Sequence, residues 1–350
     1  MAFNIRLLWN MLSLMLLVMS LYLVKSIWTF REEADKVGIK YNSFTDLYSA
    51  GGYLLLIICV RYVAELYLKP ILVERLRQVD QLNFDVKKDK VTKEFISFLW
   101  YVFITIYGNI ALYNHSYIPT YLNGSSTCED LTLDYARKSG DPVINKYYMI
   151  ETAHHMFSLL HHLFVAKRTQ DFAEMSLHHF CAMAAIIFSY YTNQVPFGAT
   201  ILLAHDYGDI FLNLGKFLKD TKVVPQKISF IVDIVFVNIF VWWFFPRVVF
   251  ISACVLPAGV YYRHFNHTFD PELTALRDSK ALVDALQIFM VFVIMLLNLW
   301  WSWVILNIGL QRLKAKNGSE FVVYVQGEKY KAESPSAVAA DEPSASEKDK

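Results

Sequence analysis

The stretch MSLHHFCAMAAIIFSYYTNQVPFGATILLAHDYGDIFLNLGK, residues 175–216, holds two apolar blocks, 175–194 and 197–216, joined by only a few residues. Each block has about the length an α-helix needs to cross a bilayer core ~30 Å thick, roughly 20 residues. Each also carries titratable side chains where hydrocarbon penalises them: His178 and His179 in the first, His205, Asp206 and Asp209 in the second. Groups of this kind inside a bilayer face the bundle interior or a wet cavity. The two blocks therefore predict antiparallel neighbouring helices with a polar interior.

Six further apolar blocks flank this pair, at about 6–25, 48–68, 95–113, 147–166, 228–256 and 281–308. The 350-residue chain is 55% hydrophobic and 16% aromatic with only 19% charged, which is too oily for a soluble domain. The expected fold class is an all-α polytopic membrane protein with about eight transmembrane helices enclosing a polar or lipid cavity. The first block, LLWNMLSLMLLVMSLYLV, is long for a signal-peptide core and is followed by no small-x-small cleavage site, so it reads as an uncleaved anchor. The net charge of +1 singles out no partner, and no nucleic acid is expected.

Charge distribution sets a topology. Lys69, Arg75, Arg77, Lys87, Lys88, Lys90 and Lys93 fall between the second and third blocks, Lys167 and Arg168 between the fourth and fifth, and Lys219, Lys222 and Lys227 between the sixth and seventh. The positive-inside bias places these loops, and with eight spans both termini, in the cytosol. Sequons at Asn114, Asn123 and Asn266 then lie in lumenal loops, as glycosylation requires, whereas Asn317 is cytosolic and reads as a chance match. The basic segment 25–46 fits less well on the lumenal side. Cysteines 59, 128, 181 and 254 show no metal spacing; Cys59 and Cys181 read as packing residues, and a lumenal Cys128–Cys254 bond is open. The tail ESPSAVAADEPSASEKDK has almost no apolar bulk and reads as disordered.

Residues three and four apart on a helix share a face. In the fourth block Glu151, His154, Ser158 and His161 form one stripe, beside His155 and His162, and are expected to line a cavity. In the fifth, His178 shares a face with Ala182, Ala185, Ser189 and Asn193. In the sixth, His205, Asp206, Asp209, Asn213 and Lys216 run along one strip. Two carboxylates one turn apart in low dielectric cannot both ionise without a nearby cation or hydrogen-bond donors. The imidazoles of the fifth block are the natural partners for Asp206 and Asp209, giving a His–Asp site open toward the cytosol. Arg61 with Glu65 reads as a structural pair, and Asp233, Asn238, Asp284 and Gln287 as helix–helix hydrogen bonders.

Three function classes compete. Membrane di-iron hydroxylases also cluster histidines, but His154 and His161 are two turns and about 10 Å apart, too far to share one ion, and adjacent histidines diverge by a third of a turn. An imidazole–carboxylate site without metal or other cofactor suits acyl transfer: the carboxylate orients the ring, and the ring accepts a proton or attacks a carbonyl. A non-enzymatic lipid-handling protein is the third class.

Residues 168–217 resemble the longevity-assurance motif of ceramide synthases, within the TLC domain. The matched residues are Arg168, Asp171-Phe172, Glu174, His178-His179, Ser189-Tyr190, Asn193, Gly198, His205-Asp206, Asp209, Phe211-Leu212 and Lys216, with weaker likeness at 146–151, Arg247 and Pro257. The resemblance implies a TLC domain over about 90–310, preceded by an N-terminal region 1–89 with two spans and a basic loop, and followed by a tail 311–350. It implies transfer of a fatty acyl group from acyl-CoA to a long-chain sphingoid base in the endoplasmic reticulum membrane, without a metal, and it assigns catalysis to His178, His179, Asp206 and Asp209. Substrate-cavity candidates are His205, Asn213, Ser189, Asn193, Glu151, His154 and His161. Lys167, Arg168, Lys216 and Lys219 are candidates to meet the nucleotide phosphates. Homo- or hetero-oligomerisation is left open. The chain departs from the motif at Pro196-Phe197, at Asp206-Tyr207-Gly208-Asp209 where the family has Asp-Ser-Ser-Asp, and at Leu212-Asn213 where it has Leu-Glu. In the family, the loop before the last span, here about 258–280, influences acyl chain length.

Overall fold

The computed structural model describes residues 5–36, 38, 42–79, 84–113, 127, 128, 131, 141–166, 171–221, 230–262, 277–316, 324, 325, 328 and 329. Among these the helices are α1 (Ile5–Lys36), α2 (Asp46–Val79), α3 (Phe84–Leu112), α4 (Pro142–Phe164), α5 (Phe172–Tyr191), α6 (Val195–Thr221), α7 (Phe230–Phe244, continued by wider turns to Tyr262) and α8 (Arg277–Lys316). Each runs beyond its apolar block, because polar residues at a membrane surface continue a helix that the oily segment has nucleated. Among the described residues four stretches are long and apolar enough to cross a membrane by length and composition: Lys87–Leu112, Phe172–Tyr191, Phe230–Val260 and Asp284–Gln311. Many large apolar side chains are exposed, among them Leu55, Leu66, Ile106, Ile110, Val237 and Trp303, as on a lipid-facing surface. The chain is a helical membrane protein.

The helices close a ring. Going round it, α3 packs on α6, α6 on α7, α7 on α8, α8 on α5, α5 on α4, and α4 back on α3, with α2 outside against α3 and α4. The expected neighbours α5 and α6 are in contact, and both line the interior of the ring. What joins them is a tight turn. Asn193 adopts φ 58° in the left-handed region, Asn193 N–H donates to Tyr190 O (3.4 Å) and Gln194 N–H to Ser189 O (2.7 Å). This is the pattern that terminates a helix, with Asn in the position usually held by glycine.

The same end of the bundle, hereafter the turn end, is well tied. Asp141 caps α4, its Oδ1 accepting from Val143 N–H (2.8 Å) and Ile144 N–H (3.4 Å), with Pro142 at the first helical position. Arg31 Nη1 donates to Asn42 O (2.8 Å) and Tyr191 O (3.4 Å), and Asn42 Nδ2 to Tyr190 O (3.2 Å). Arg31 near the end of α1 and Asn42 thus rest on the α5–α6 turn, and the arginine is occupied by carbonyl groups. Cys128 and Cys254 form a disulfide with Cα atoms 5.2 Å apart; Cys181 is buried and Cys59 exposed.

In α7, Pro246 brings no N–H and crowds the preceding turn. From Phe245 to Val255 the helix takes i→i+5 turns, and Leu256 N–H reaches Ile251 O. This widening turns Arg247, Phe250, Ile251 and Cys254 into the ring. Of the expected helix–helix bonders, Gln194 Nε2 donates to Asp284 Oδ1 (3.5 Å), but Asn238 is exposed and bonds its own helix at Ile234 O (2.9 Å). Arg61 and Glu65 are paired at 3.4 Å. Within the expected tail, α8 continues to Lys316 and Tyr324–Val325 pairs antiparallel with Glu328–Lys329, a Val- and Tyr-rich stretch around Gln326-Gly327. The tail stretch 333–350 and the sequons at Asn114, Asn123 and Asn266 lie outside the described residues.

The cysteine arrangement is directly testable. Under denaturing, non-reducing conditions a maleimide should label Cys59 and Cys181 alone, and all four cysteines only after reduction. Labelling of Cys128 or Cys254 without reduction contradicts the pairing.

Candidate active site

The ring encloses a cavity of roughly 780 Å³ counting its open mouth. His178, His179, Ala182, Ala185 and Ser189 line it from α5, His205, Asp206 and Asp209 from α6, His154 and His155 from α4, Arg247 from α7, and Gln287, Val291 and Ile294 from α8. Four groups from two facing helices thus meet one space. The stripe that His178 heads on α5 faces inward as far as Ser189.

The carboxylates do not find the partners anticipated for them. Asp209 Oδ2 accepts from Arg247 Nη2 at 2.8 Å. The same guanidinium donates to the backbone carbonyl of His205 and lies over the Trp243 ring, 3.8 Å from its centroid. Arg247 is 2% exposed and Asp209 lines the cavity, so the guanidinium is buried and depends on this carboxylate for its charge partner. Asp206 accepts from the Tyr147 hydroxyl at 3.4 Å and stands beside the Glu151 carboxyl. One acid is therefore matched by a cation and the other by a hydroxyl, and no hydrogen bond runs from either to His178 or His179 among the described contacts.

Gly208 is the reason α7 can reach in. A Cβ there would lie 3.0 Å from Trp242 O and 3.1 Å from Arg247 Nε, and one at Gly215 would lie 2.5 Å from Ile239 Cδ1. Glycine at both positions lets the α6 and α7 backbones approach closely. The departure from Asp-Ser-Ser-Asp thus has a local cause.

The imidazoles are held by rings. His178 meets Trp301 edge to face at 5.1 Å, and Trp301 meets Trp243 at 6.1 Å, the ring that carries Arg247. His179 lies 5.3 Å from His162, whose Nε2–H donates to Phe172 O (3.2 Å). The Nδ1 atoms of His178 and His179 are buried without a hydrogen-bond partner. His205 is a contrast: its Nδ1–H donates to Ile201 O (2.8 Å), which leaves Nε2 to accept from Asn298 Nδ2 (3.1 Å). Its tautomer is fixed, while the pair on α5 keeps nitrogen atoms available.

Other site candidates divide. His154 lines the cavity, stacked on Trp100 at 4.7 Å with Nε2 3.4 Å from the Tyr101 hydroxyl, and Ser189 lines it too. Glu151 lies behind Asp206, 3.8 Å from His155 Nε2. Three candidates sit elsewhere. His161 packs on Phe157 outside the lining, Asn193 is used by the turn, and Asn213 bonds its own helix at Asp209 O (2.8 Å). Helical spacing kept them on the right stripe, but each lies a turn or more beyond the cavity's reach. Lys216 lies near Lys93 of α3, neither Lys216 nor Lys219 lines the cavity, and Lys167 and Arg168 lie outside the described residues. Among the described residues no group of three or more His, Cys, Asp or Glu is arranged to hold a metal ion.

The TLC domain matches residues 90–307. The chain belongs to the TLC-domain family. Relatives of this TLC-domain chain include ceramide synthase hyl-1 of Caenorhabditis elegans, 26% identical over 220 residues, 63% of this chain and 56% of that protein. Ceramide synthase 4 of Bos taurus is 26% identical over 223 residues, 62% of this chain and 50% of that protein. Ceramide synthase LOH2 of Arabidopsis thaliana is 27% identical over 115 residues, 33% of this chain and 37% of that protein. The chain spans about half the length of the first two relatives.

The Asp209–Arg247 pair sets a stability test. Removing one partner of a buried pair leaves an uncompensated charge, so Arg247→Leu should destabilise by ~3–5 kcal/mol. Asp209→Asn added to it should restore part of the loss, as a double-mutant cycle on detergent melting midpoints would read. Strictly additive effects contradict the pairing.

Proposed function

We propose that the chain is a ceramide synthase, moving a fatty acyl group from acyl-CoA to the amine of a sphingoid base inside the membrane. The observation that carries this reading is the single cavity lined by His178, His179, Asp206 and Asp209, in a chain whose relatives include ceramide synthases. Acyl-CoA enters from the end opposite the turn, with its tail along the small-residue face of α5. A nitrogen of His178 attacks the thioester carbonyl, the C–S bond breaks, and the thiolate leaves with a proton. The sphingoid amine then attacks the acyl-imidazole, the amide forms, and the proton released by the amine returns to the site. Asp209, held by Arg247, offsets the positive charge that develops on the imidazole, and Arg247 keeps that carboxylate from collapsing onto the ring before substrate arrives. Asp206, one turn from Asp209 on the same face, is held by the Tyr147 hydroxyl. No metal or other cofactor takes part.

The same reading fixes the setting. Eight membrane crossings place both termini and the basic loops in the cytosol and the turn end in the lumen of the endoplasmic reticulum. Support comes from the Cys128–Cys254 bond at that end, since disulfides persist in an oxidising compartment. Asn114, Asn123 and Asn266 are then glycosylation candidates, and Lys167, Arg168, Lys216 and Lys219 remain the candidates to meet the CoA phosphates.

Purified protein in detergent, given acyl-CoA and sphingoid base, should form ceramide and continue to do so with chelator present. His178→Ala and Asp209→Asn should each lower turnover by roughly 10²–10⁴-fold. Wild-type turnover in His178→Ala sinks the mechanism, and loss of activity on chelation sinks the metal-free chemistry.

A further inference from the structure

From the imidazoles the cavity runs toward the turn end along Ala182, Ala185 and Ser189 of α5, and it ends at a hydrogen-bonded stop. The Tyr148 and Ser189 hydroxyl oxygens are 2.6 Å apart and buried. A Cβ added at Gly198 would lie 1.6 Å from the Tyr148 hydroxyl and 2.8 Å from Ser189 Oγ, so only glycine leaves that hydroxyl in place. The Tyr148 ring is fully buried and backed by Tyr190, with centroids 5.5 Å apart. The stop is therefore braced and cannot swing aside for a longer ligand.

Its distance from the chemistry can be read from both helices. Ser189 is eleven residues beyond His178, and Gly198 is eleven residues before Asp209. At about 1.5 Å per residue each interval spans about 16 Å, so imidazole and carboxylate stand at one height above the same floor. An extended hydrocarbon advances about 1.25 Å per carbon, given bonds of about 1.5 Å, so about thirteen carbons fit below the reacting carbonyl.

We propose that Tyr148, Ser189 and Gly198 form a length stop that limits the acyl chain to about fourteen carbons. This rests on the acyltransferase reading above. A longer chain must leave methylenes outside the apolar shaft, and each one forfeits about 0.8 kcal/mol of burial, about a fourfold loss in relative use.

The test is a competition. Wild-type protein in detergent receives one sphingoid base and an equimolar mixture of saturated acyl-CoAs, graded from shorter than the shaft to about twice its length. N-acylated products are then counted by mass. The expected profile peaks at chains that fill the shaft and falls about fourfold for each added carbon. Ala185→Leu, which adds apolar bulk about two-thirds of the way down, should move the peak about four to five carbons shorter. Tyr148→Leu, which removes the stop, should move it longer; Tyr148→Phe, which keeps the ring, should leave it within about two carbons of wild type. Equal use of chains twice the shaft length by wild type overturns the stop, as does a profile unchanged by Ala185→Leu. Absence of any N-acylated product from wild type overturns the acyltransferase reading, and the stop with it.

Discussion

A guanidinium deep in a mostly apolar helix is the constraint around which the site is built. Arg247 is buried, and a bare cation in that position is one of the most expensive things a membrane protein can hold. It is tolerated because Asp209 faces it at 2.8 Å, the Trp243 ring lies under it, and the His205 carbonyl takes another of its protons. Each of those contacts needs something else in turn. Pro246 widens α7 so that the arginine points inward, and Gly208 removes the side chain that would hold α6 and α7 apart. The polar interior is a set of mutual obligations between neighbouring helices.

The consequence for chemistry is a division of labour. The acids are occupied by Arg247 and Tyr147, while the imidazoles of His178 and His179 line the cavity, braced by aromatic rings, with Nδ1 atoms that are buried without a hydrogen-bond partner. A ring that is already hydrogen-bonded to a carboxylate is a general base in waiting. A ring without that bond keeps a lone pair for a carbonyl carbon. In the proposed mechanism the imidazole is the nucleophile, with carboxylate charge held nearby.

Much of this was legible in residues 175–216. Apolar length gave the helices, and titratable groups in oil gave an inward face, so the stripes of α5 and α6 could be read from spacing alone. What spacing could not give was how far the cavity extends along each stripe. His161 and Asn213 share a face with lining residues yet stand outside the lining, and Asn193 was needed for its backbone, a demand visible only once Gln194 N–H is seen bonded to Ser189 O. Partners from distant helices were harder still. Tyr147, Asn298 and Trp301 enter through packing, which a single chain of letters does not encode. Arg247 had a signal, being the lone basic residue between Phe230 and Tyr262, where an intramembrane cation calls for a partner. The disulfide was one open pairing among four cysteines and needed the fold to choose it.

The claim on which all of this depends is that acyl transfer passes through an imidazole at the head of the α5 stripe. Rapid acid quenching of protein mixed with labelled acyl-CoA alone, followed by peptide mass mapping, tests it without reference to product. The account predicts a single acyl adduct on the peptide that carries His178, placed on that ring, and discharged within one turnover when sphingoid base is added. An adduct on Cys181 or on no residue, at a time when ceramide forms at full rate, contradicts it.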